Sequence, residues 1–248
     1  MKTVAIIQAR MGSTRLPGKV MKILCGKTVL AHIVTRVKAC QFIDEVVVAT
    51  TESIADNAIV AEAEKWGVPW FRGSEDNVLE RYYLAAQKYK ADVVVRITSD
   101  DPLVDPNIIS QMLVYFKEKT AAGIDIDYLS NNLNQRTYPL GLDAEIFTVF
   151  ALEQAYRNAN QFYQKEHVTP YIRQHPEAFC LQNYTWDKDL STYRWTLDTQ
   201  EDWELISEIY SALYRDREIF TTDEVLALLN QRPGLVKINA YVKQKGIQ

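Results

Sequence analysis

Three cations, two glycines and two hydroxyls crowd into eleven residues, Ala9-Arg10-Met11-Gly12-Ser13-Thr14-Arg15-Leu16-Pro17-Gly18-Lys19. That mixture suits an anion: glycines let backbone amides approach it closely, and guanidinium and ammonium groups neutralise it. The loop follows the apolar run Val4 to Ile7, which reads as a buried strand, and ligands of α/β sheets gather at the carboxyl ends of strands. The segment is therefore a candidate polyphosphate site. Arg10, Arg15 and Lys19 would hold the phosphates, with Ser13 and the backbone of Gly12 to Thr14 adding donors. A Walker A loop does not fit, because five residues separate Gly12 from Gly18, Pro17 lacks an amide donor, and Val20 stands where that motif needs a hydroxyl. A dinucleotide fingerprint would need another glycine at Thr14.

Acidic residues provide the complementary chemistry. Asp100 and Asp101 follow the apolar run Asp92 to Ile97, and Asp198 ends the short run Trp195 to Leu197. Carboxylates converging from separate strand ends suit a hard cation such as magnesium when phosphate oxygens and water fill its other positions. An isolated Asp-Pro pair is also a turn or helix cap, and Asp198-Thr199 also suits a cap before a helix at Glu201. Their occurrence together with the basic loop favours the cation.

The pattern A-R-x-G-S-x-R-L-P-G-K resembles the signature of the CMP-sugar synthetases, the cytidylyltransferases that activate KDO and sialic-type acids. Within them it is most similar to the spore coat polysaccharide biosynthesis protein F group. Phe71 to Arg81 (FRGSEDNVLER) resembles that group's second motif, and Arg96 to Leu103 (RITSDDPL) resembles the strand-end segment Q-G-D-E-P-L of CMP-KDO synthetases. Glu166 to Ile172 (EHVTPYI) and Arg194 to Asp202 (RWTLDTQED) are also similar to the group, in the same order along residues 3 to 210.

The resemblance implies a three-layer αβα nucleotidyltransferase fold, glycosyltransferase-A-like, with a mixed, mostly parallel sheet. It further implies that an acceptor hydroxyl attacks the α-phosphorus of CTP with release of pyrophosphate, that Asp100 and Asp198 hold magnesium, and that Arg72 lies near the cytosine while backbone around Ala9 reads the base edge. It implies a homodimer. Ser99-Asp100-Asp101 replaces the Gly-Asp-Glu of CMP-KDO synthetases, and the stretch from Asp125 to Asn183 carries no acceptor signature of either the KDO or the sialic enzymes. A sugar-phosphate nucleotidyltransferase or glycosyltransferase on the same fold, and a nucleotide-binding module without catalysis, are the rival readings.

The acceptor would be an anionic, sugar-type molecule. His167, beside Glu166, suits its carboxylate, or is simply a histidine at a helix start. Asp143 and Glu145 alternate on an expected strand after Gly141 and suit its hydroxyls or an amine, or form a solvated strand face. Trp66, Trp70, Tyr82 and Tyr83 read as core rather than stacking platforms, and His32 and His175 as structural or surface residues.

The elements that must position these groups alternate in the first hundred residues between short β-branched runs and helical periods, the pattern of an α/β unit. Strands are expected at Thr3 to Gln8, Glu45 to Thr50 and Asp92 to Ile97, with a helix from Asn77 to Tyr89 capped by Asp76 and another beginning at Asp105. Further on, strands are expected near 125–131, 143–149, 179–184 and 193–197. Helices are expected near 152–160, 167–174, 201–214 and 222–230, the last capped by Thr221 or Thr222.

No linker divides the 248 residues, so one domain is expected, with a nucleotide-binding half to about residue 120 and an acceptor-binding and dimerising portion over about 121–190. With 28 basic and 32 acidic side chains, the formal charge of −4 leaves no basic excess for a nucleic-acid polymer. No apolar run approaches membrane-spanning length and no secretory pattern opens the chain, so no membrane partner and a cytoplasmic location are expected. Cys25, Cys40 and Cys180 read as reduced core or near-core thiols.

Overall fold

The structure, a computed structural model, describes residues 1–244. From β1 (Thr3–Gln8) the chain passes through the basic loop and a small hairpin, β2 (Ile23–Leu24) and β3 (Lys27–Thr28), into α1 (Val29–Lys38). Then come β4 (Glu45–Thr51), α2 (Asn57–Lys65), β5 (Trp70–Gly73), α3 (Val78–Lys88), β6 (Val93–Thr98) and α4 (Pro106–Ala121). The second half carries β7 (Tyr128–Ser130), β8 (Glu145–Thr148), α5 (Val149–Asn158), α6 (Phe162–His167), α7 (Pro170–Gln174), β9 (Leu181–Asn183), α8 (Gln200–Leu213) and α9 (Thr222–Gln231).

Seven strands form one sheet in the order β5-β4-β1-β6-β8-β7-β9. The first four are parallel, β8 runs against both its neighbours, and β7 pairs with β9 in parallel. Alternate side chains of a strand point to opposite faces, and here both faces are covered. Ala5, Ile7, Val46, Val48, Val93, Val95 and Ile97 join one core with residues of α1, α4, α8 and α9. Val4, Ile6, Val47, Ala49 and Val94 join a second core with residues of α3, α5 and α7. This explains why the centres of β1 and β4 are apolar without interruption and why β6 is broken only by Arg96, and it gives the three-layer, mixed and mostly parallel architecture.

Five local readings need correction. α3 is capped by Asn77, whose side chain accepts the Glu80 amide at 3.1 Å, rather than by Asp76. Residues 193–197 form no strand, only a single bridge between Leu140 and Arg194. The helix expected over 167–174 breaks in two at Val168, whose φ of 72° ends α6, so His167 closes a helix instead of opening one. β5 was not expected from pattern because Trp70-Phe71-Arg72-Gly73 lacks alternation. It is held as an edge strand by parallel pairing to β4. Of the cysteines, Cys40 is buried and Cys180 partly so, but Cys25 is exposed in the β2–β3 turn.

Candidate active site

β1 and β6 are neighbours in register, Gln8 beside Thr98, so the basic loop and Ser99-Asp100 leave the sheet at the same edge. The loop folds back on itself because the Met11 carbonyl accepts the amides of Ser13 (2.8 Å) and Gly18 (3.3 Å), a closure that places Gly18 at φ 64°. Buried Asp56, beyond β4, accepts the Met11 amide at 2.8 Å and anchors the turn from outside. The amides of Gly12 and Thr14 have no acceptor among the described residues and stay available to an anion.

Asp198 arrives by a different route. The Trp195 amide donates to Leu140 O (2.6 Å), and the Leu197 amide donates to Asp100 O (2.7 Å), which ties the two acidic segments together. Gly141 lets this strap through: it sits at φ 104°, and a Cβ there would lie 2.4 Å from the Thr196 nitrogen. Behind Asp198, fully buried Asp202 accepts the amides of Asp198 and Thr199, each at 3.0 Å, and two donors of Arg194 at 2.8 Å. Asn239 donates to both Arg194 O and Asp202, which fastens the C-terminal segment to the same clamp.

These segments enclose a cavity of about 650 Å³. Ala9, Arg10, Gly12, Ser13, Arg15, Lys19, Asp100 and Asp198 all line it, with Gln8, Val78, Arg81, Glu166, His167 and Gln244. Lys19 Nζ lies 2.8 Å from Asp198 Oδ1 and 3.4 Å from Asp100 Oδ2, and Arg15 Nη2 lies 2.9 Å from Asp198 Oδ2. Burial alone would raise the Asp198 pKa, but Lys19, Arg15 and Arg194 outweigh it and hold it below the ordinary value. Burial would likewise lower Lys19, and Asp100 and Asp198 outweigh it upward. Asp101 is turned away: it is buried on the Thr98 hydroxyl at 2.6 Å, and burial with the nearby Asp100 and Asp143 raises its pKa well above the carboxylate range.

Among the described residues no cluster of three or more His, Cys, Asp or Glu is arranged to hold a metal ion alone. Two carboxylates on a cavity large enough for a nucleotide do fit magnesium, which usually takes one or two carboxylates together with substrate phosphates. Arg72 is the residue expected near the cytosine. It is absent from the cavity wall and donates instead to Thr51 O (2.8 Å), Ser53 O (2.7 Å) and Asn57 Oδ1 (2.7 Å). Sequence reading also passed over Arg81, although a cation one turn after Val78, on the apolar stripe of α3, was a usable signal.

A second cavity of about 150 Å³ shares His167 with the first and is lined by Arg96, Thr98, Asp143, Glu145, Thr169 and Arg173, among others. Neither acid offers a free carboxylate. Asp143 is gripped by both ends of the Arg136 fork, at 2.5 and 3.1 Å. Glu145 is buried and accepts from Arg96, Tyr128 and Thr169, so it is not a solvated strand residue and its carboxylate is already partnered. His167 is half-buried, and burial, with Arg96 nearby, lowers its pKa despite Glu166, which keeps it neutral near pH 7.

A cytidylyltransferase family model matches residues 4–237. The spore coat polysaccharide biosynthesis protein SpsF of Bacillus subtilis is 36% identical over 236 residues, 92% of this chain and 94% of that one. A cytidylyltransferase structure from Leptospira borgpetersenii superposes with a TM-score of 0.90 at 35% identity and covers 99% of both chains. The structure of CMP:2-keto-3-deoxy-manno-octonic acid synthetase complexed with CTP shares the fold, with a TM-score of 0.64 at 16% identity over 86% of this chain and 99% of that one. No helix among the described residues is long and apolar enough to cross a membrane. The chain belongs to the cytidylyltransferase family and is similar along most of its length to SpsF.

Proposed function

We propose that this protein transfers CMP from CTP to the hydroxyl of an anionic, sugar-type acceptor and releases pyrophosphate. The observation that carries the reading is the convergence of Arg15, Lys19, Asp100 and Asp198 on one cavity beside unpaired loop amides. Before nucleotide arrives, the two cations spend their charge on the carboxylates. A triphosphate offers them stronger partners, and the Gly12 and Thr14 amides add donors where charge accumulates in the transition state. Asp100 and Asp198 would hold magnesium, which would supply Lewis-acid neutralisation of phosphate charge. The acceptor oxygen forms the new bond to the α-phosphorus as the bond from that phosphorus to the oxygen leaving with pyrophosphate breaks, and the hydroxyl proton passes to solvent.

The smaller cavity would receive the acceptor. Among the described residues Arg173 has no ion-pair partner there and donates to the carbonyls of Asn132 and Leu133, which favours a negatively charged molecule. Neutral His167, on the wall of both cavities, is placed to hydrogen-bond the acceptor near the reacting phosphate. The test is pyrophosphate release with each of four NTPs and magnesium against a panel of acidic sugars. CTP-selective release with one acceptor is expected. Silence, with no thermal stabilisation by any NTP, overturns the reading.

A further inference from the structure

The wall of the large cavity includes one residue from the last described stretch of the chain. Gln244 lines that cavity and also a third one, of about 180 Å³, whose other walls include Leu140, Trp195, Leu205 and Val242. After α9 a short 3-10 turn, Leu235–Lys237, leads into a segment whose side chains tie it to the body. Buried Asn239 donates through Nδ2 to Arg194 O (2.9 Å) and Asp202 Oδ1 (2.8 Å), and its own carbonyl accepts the Val242 amide at 3.0 Å. The Tyr241 hydroxyl donates to Glu201 at 3.1 Å, and Gln244 Oε1 accepts from Arg194 Nη1 at 2.7 Å.

Asn239 and Gln244 thus grip both ends of Arg194, its carbonyl and its guanidinium. That guanidinium is buried with a partner on every nitrogen. Nε and Nη2 each donate to Asp202 at 2.8 Å, Nη2 also reaches Asp198 Oδ2 at 3.3 Å, and Nη1 has Gln244 alone among the described residues. Because the fork is rigid and planar, a hold on Nη1 is also a hold on the aim of Nη2. The bond to Asp198 is the longest of the set, so a small rotation of the fork breaks it first. When a triphosphate draws Lys19 and Arg15 away, Arg194 is the cation that stays on Asp198.

We infer that Gln244 is a positioning residue of the large cavity: its carboxamide oxygen holds the Arg194 fork against Asp198, so the C-terminal segment sets the aim of a carboxylate that faces the nucleotide. The inference rests on the proposed CTP reading and on Asp198 as a magnesium ligand. Gln244 is itself exposed and neutral, so its removal takes little packing from the core and no charge from the cavity. Its effect passes through Arg194.

The experiment compares wild type with Gln244→Ala and Gln244→Glu by the unfolding midpoint without ligand and by the calorimetric affinity for CTP, measured with and without magnesium. In Gln244→Ala the gain in CTP affinity on adding magnesium is expected to shrink about tenfold. Its midpoint stays level and its magnesium-free affinity stays within about threefold of wild type, because Arg15, Lys19 and the loop amides are untouched. Gln244→Glu keeps the oxygen that Arg194 needs and adds a negative charge to the wall, so it retains the magnesium gain while magnesium-free binding weakens by about threefold or more. A magnesium gain in Gln244→Ala within about threefold of wild type overturns the inference, and so does a Gln244→Glu that loses the gain as the alanine variant does. A loss shared equally by both conditions, with a lower midpoint, marks a merely structural tie and overturns it too. A wild type whose CTP affinity does not rise with magnesium overturns this inference while the CTP reading stands, and a wild type that binds no CTP sinks both.

Discussion

The two cavities that meet at His167 balance their charges in opposite ways. In the large one, Lys19 and Arg15 reach Asp198 from the far end of the sequence, across space that a ligand can enter. In the small one, Arg96 and Glu145 are direct register partners on β6 and β8, and Tyr128 and Thr169 complete the carboxylate's hydrogen bonds. The first arrangement can exchange a protein partner for a phosphate. The second holds a buried carboxylate on three protein donors, and an exchange would strand all of them. Residue type therefore does not separate functional from structural charge here, whereas the exchangeability of its bonds does.

The sharpest way to break that comparison is at Glu145. Glu145→Ala strands a buried Arg96 guanidinium without its anion, and loss of one partner of a buried pair costs about 3–5 kcal/mol. Urea unfolding checks this, and a loss below about 1 kcal/mol would place Glu145 with the exchangeable groups. The pH dependence gives a second handle. Burial would raise the Glu145 pKa, but Arg96 and the two hydroxyls bring it below the ordinary value of 4.5. A depressed folded pKa means that the stabilisation is complete above the unfolded value and is lost as pH falls through the folded one. Wild type should thus lose more stability than Glu145→Gln on acidification below about pH 4.5.

The large cavity should respond in the other currency. Arg15→Ala and Asp100→Asn each remove a group aimed at the nucleotide, for a loss on the order of 3 kcal/mol in the barrier, about a hundredfold in turnover. Folding should change little, because Asp198 keeps Lys19 and Arg194 when Arg15 is gone. Pyrophosphate release measured beside thermal unfolding separates the two effects. Near-normal turnover in either folded variant would remove these residues from the reaction.

The same contrast decides what was legible in the sequence. The basic loop and Ser99-Asp100 each follow a recognisable apolar run, and a parallel sheet brings such strand ends to one edge, so their meeting could be anticipated, whereas Asp198 joins them through bonds to the Leu140 and Asp100 carbonyls and not through a strand end. Asp100 could not be told from Asp101 by pattern, because it is threonine hydroxyls, Thr98 among them, that hold the Asp101 carboxyl inward. Glu145 alternates with Asp143 like a solvated strand residue, and its burial depends on Tyr128, Thr169 and Arg96, three positions that no sequence spacing ties to it. β8 is a four-residue strand whose pairing partners lie far along the chain, and short strands of that kind carry too little periodicity to reveal which face is covered.

Arg72 provides the smallest effect and the finest test. The resemblance places it at the cytosine, while its three hydrogen bonds bind the segment from Thr51 to Asn57. Those bonds are partly exposed, so water replaces much of what Arg72→Ala removes, and the expected cost is about 1 kcal/mol of stability. CTP affinity should change by less than about threefold, far less than for Arg15→Ala. Calorimetry on both variants makes the comparison direct. A tenfold loss for Arg72→Ala would mean that nucleotide binding draws the guanidinium away from Thr51 and Ser53 and into the cavity, so that its bonds too belong to the exchangeable class.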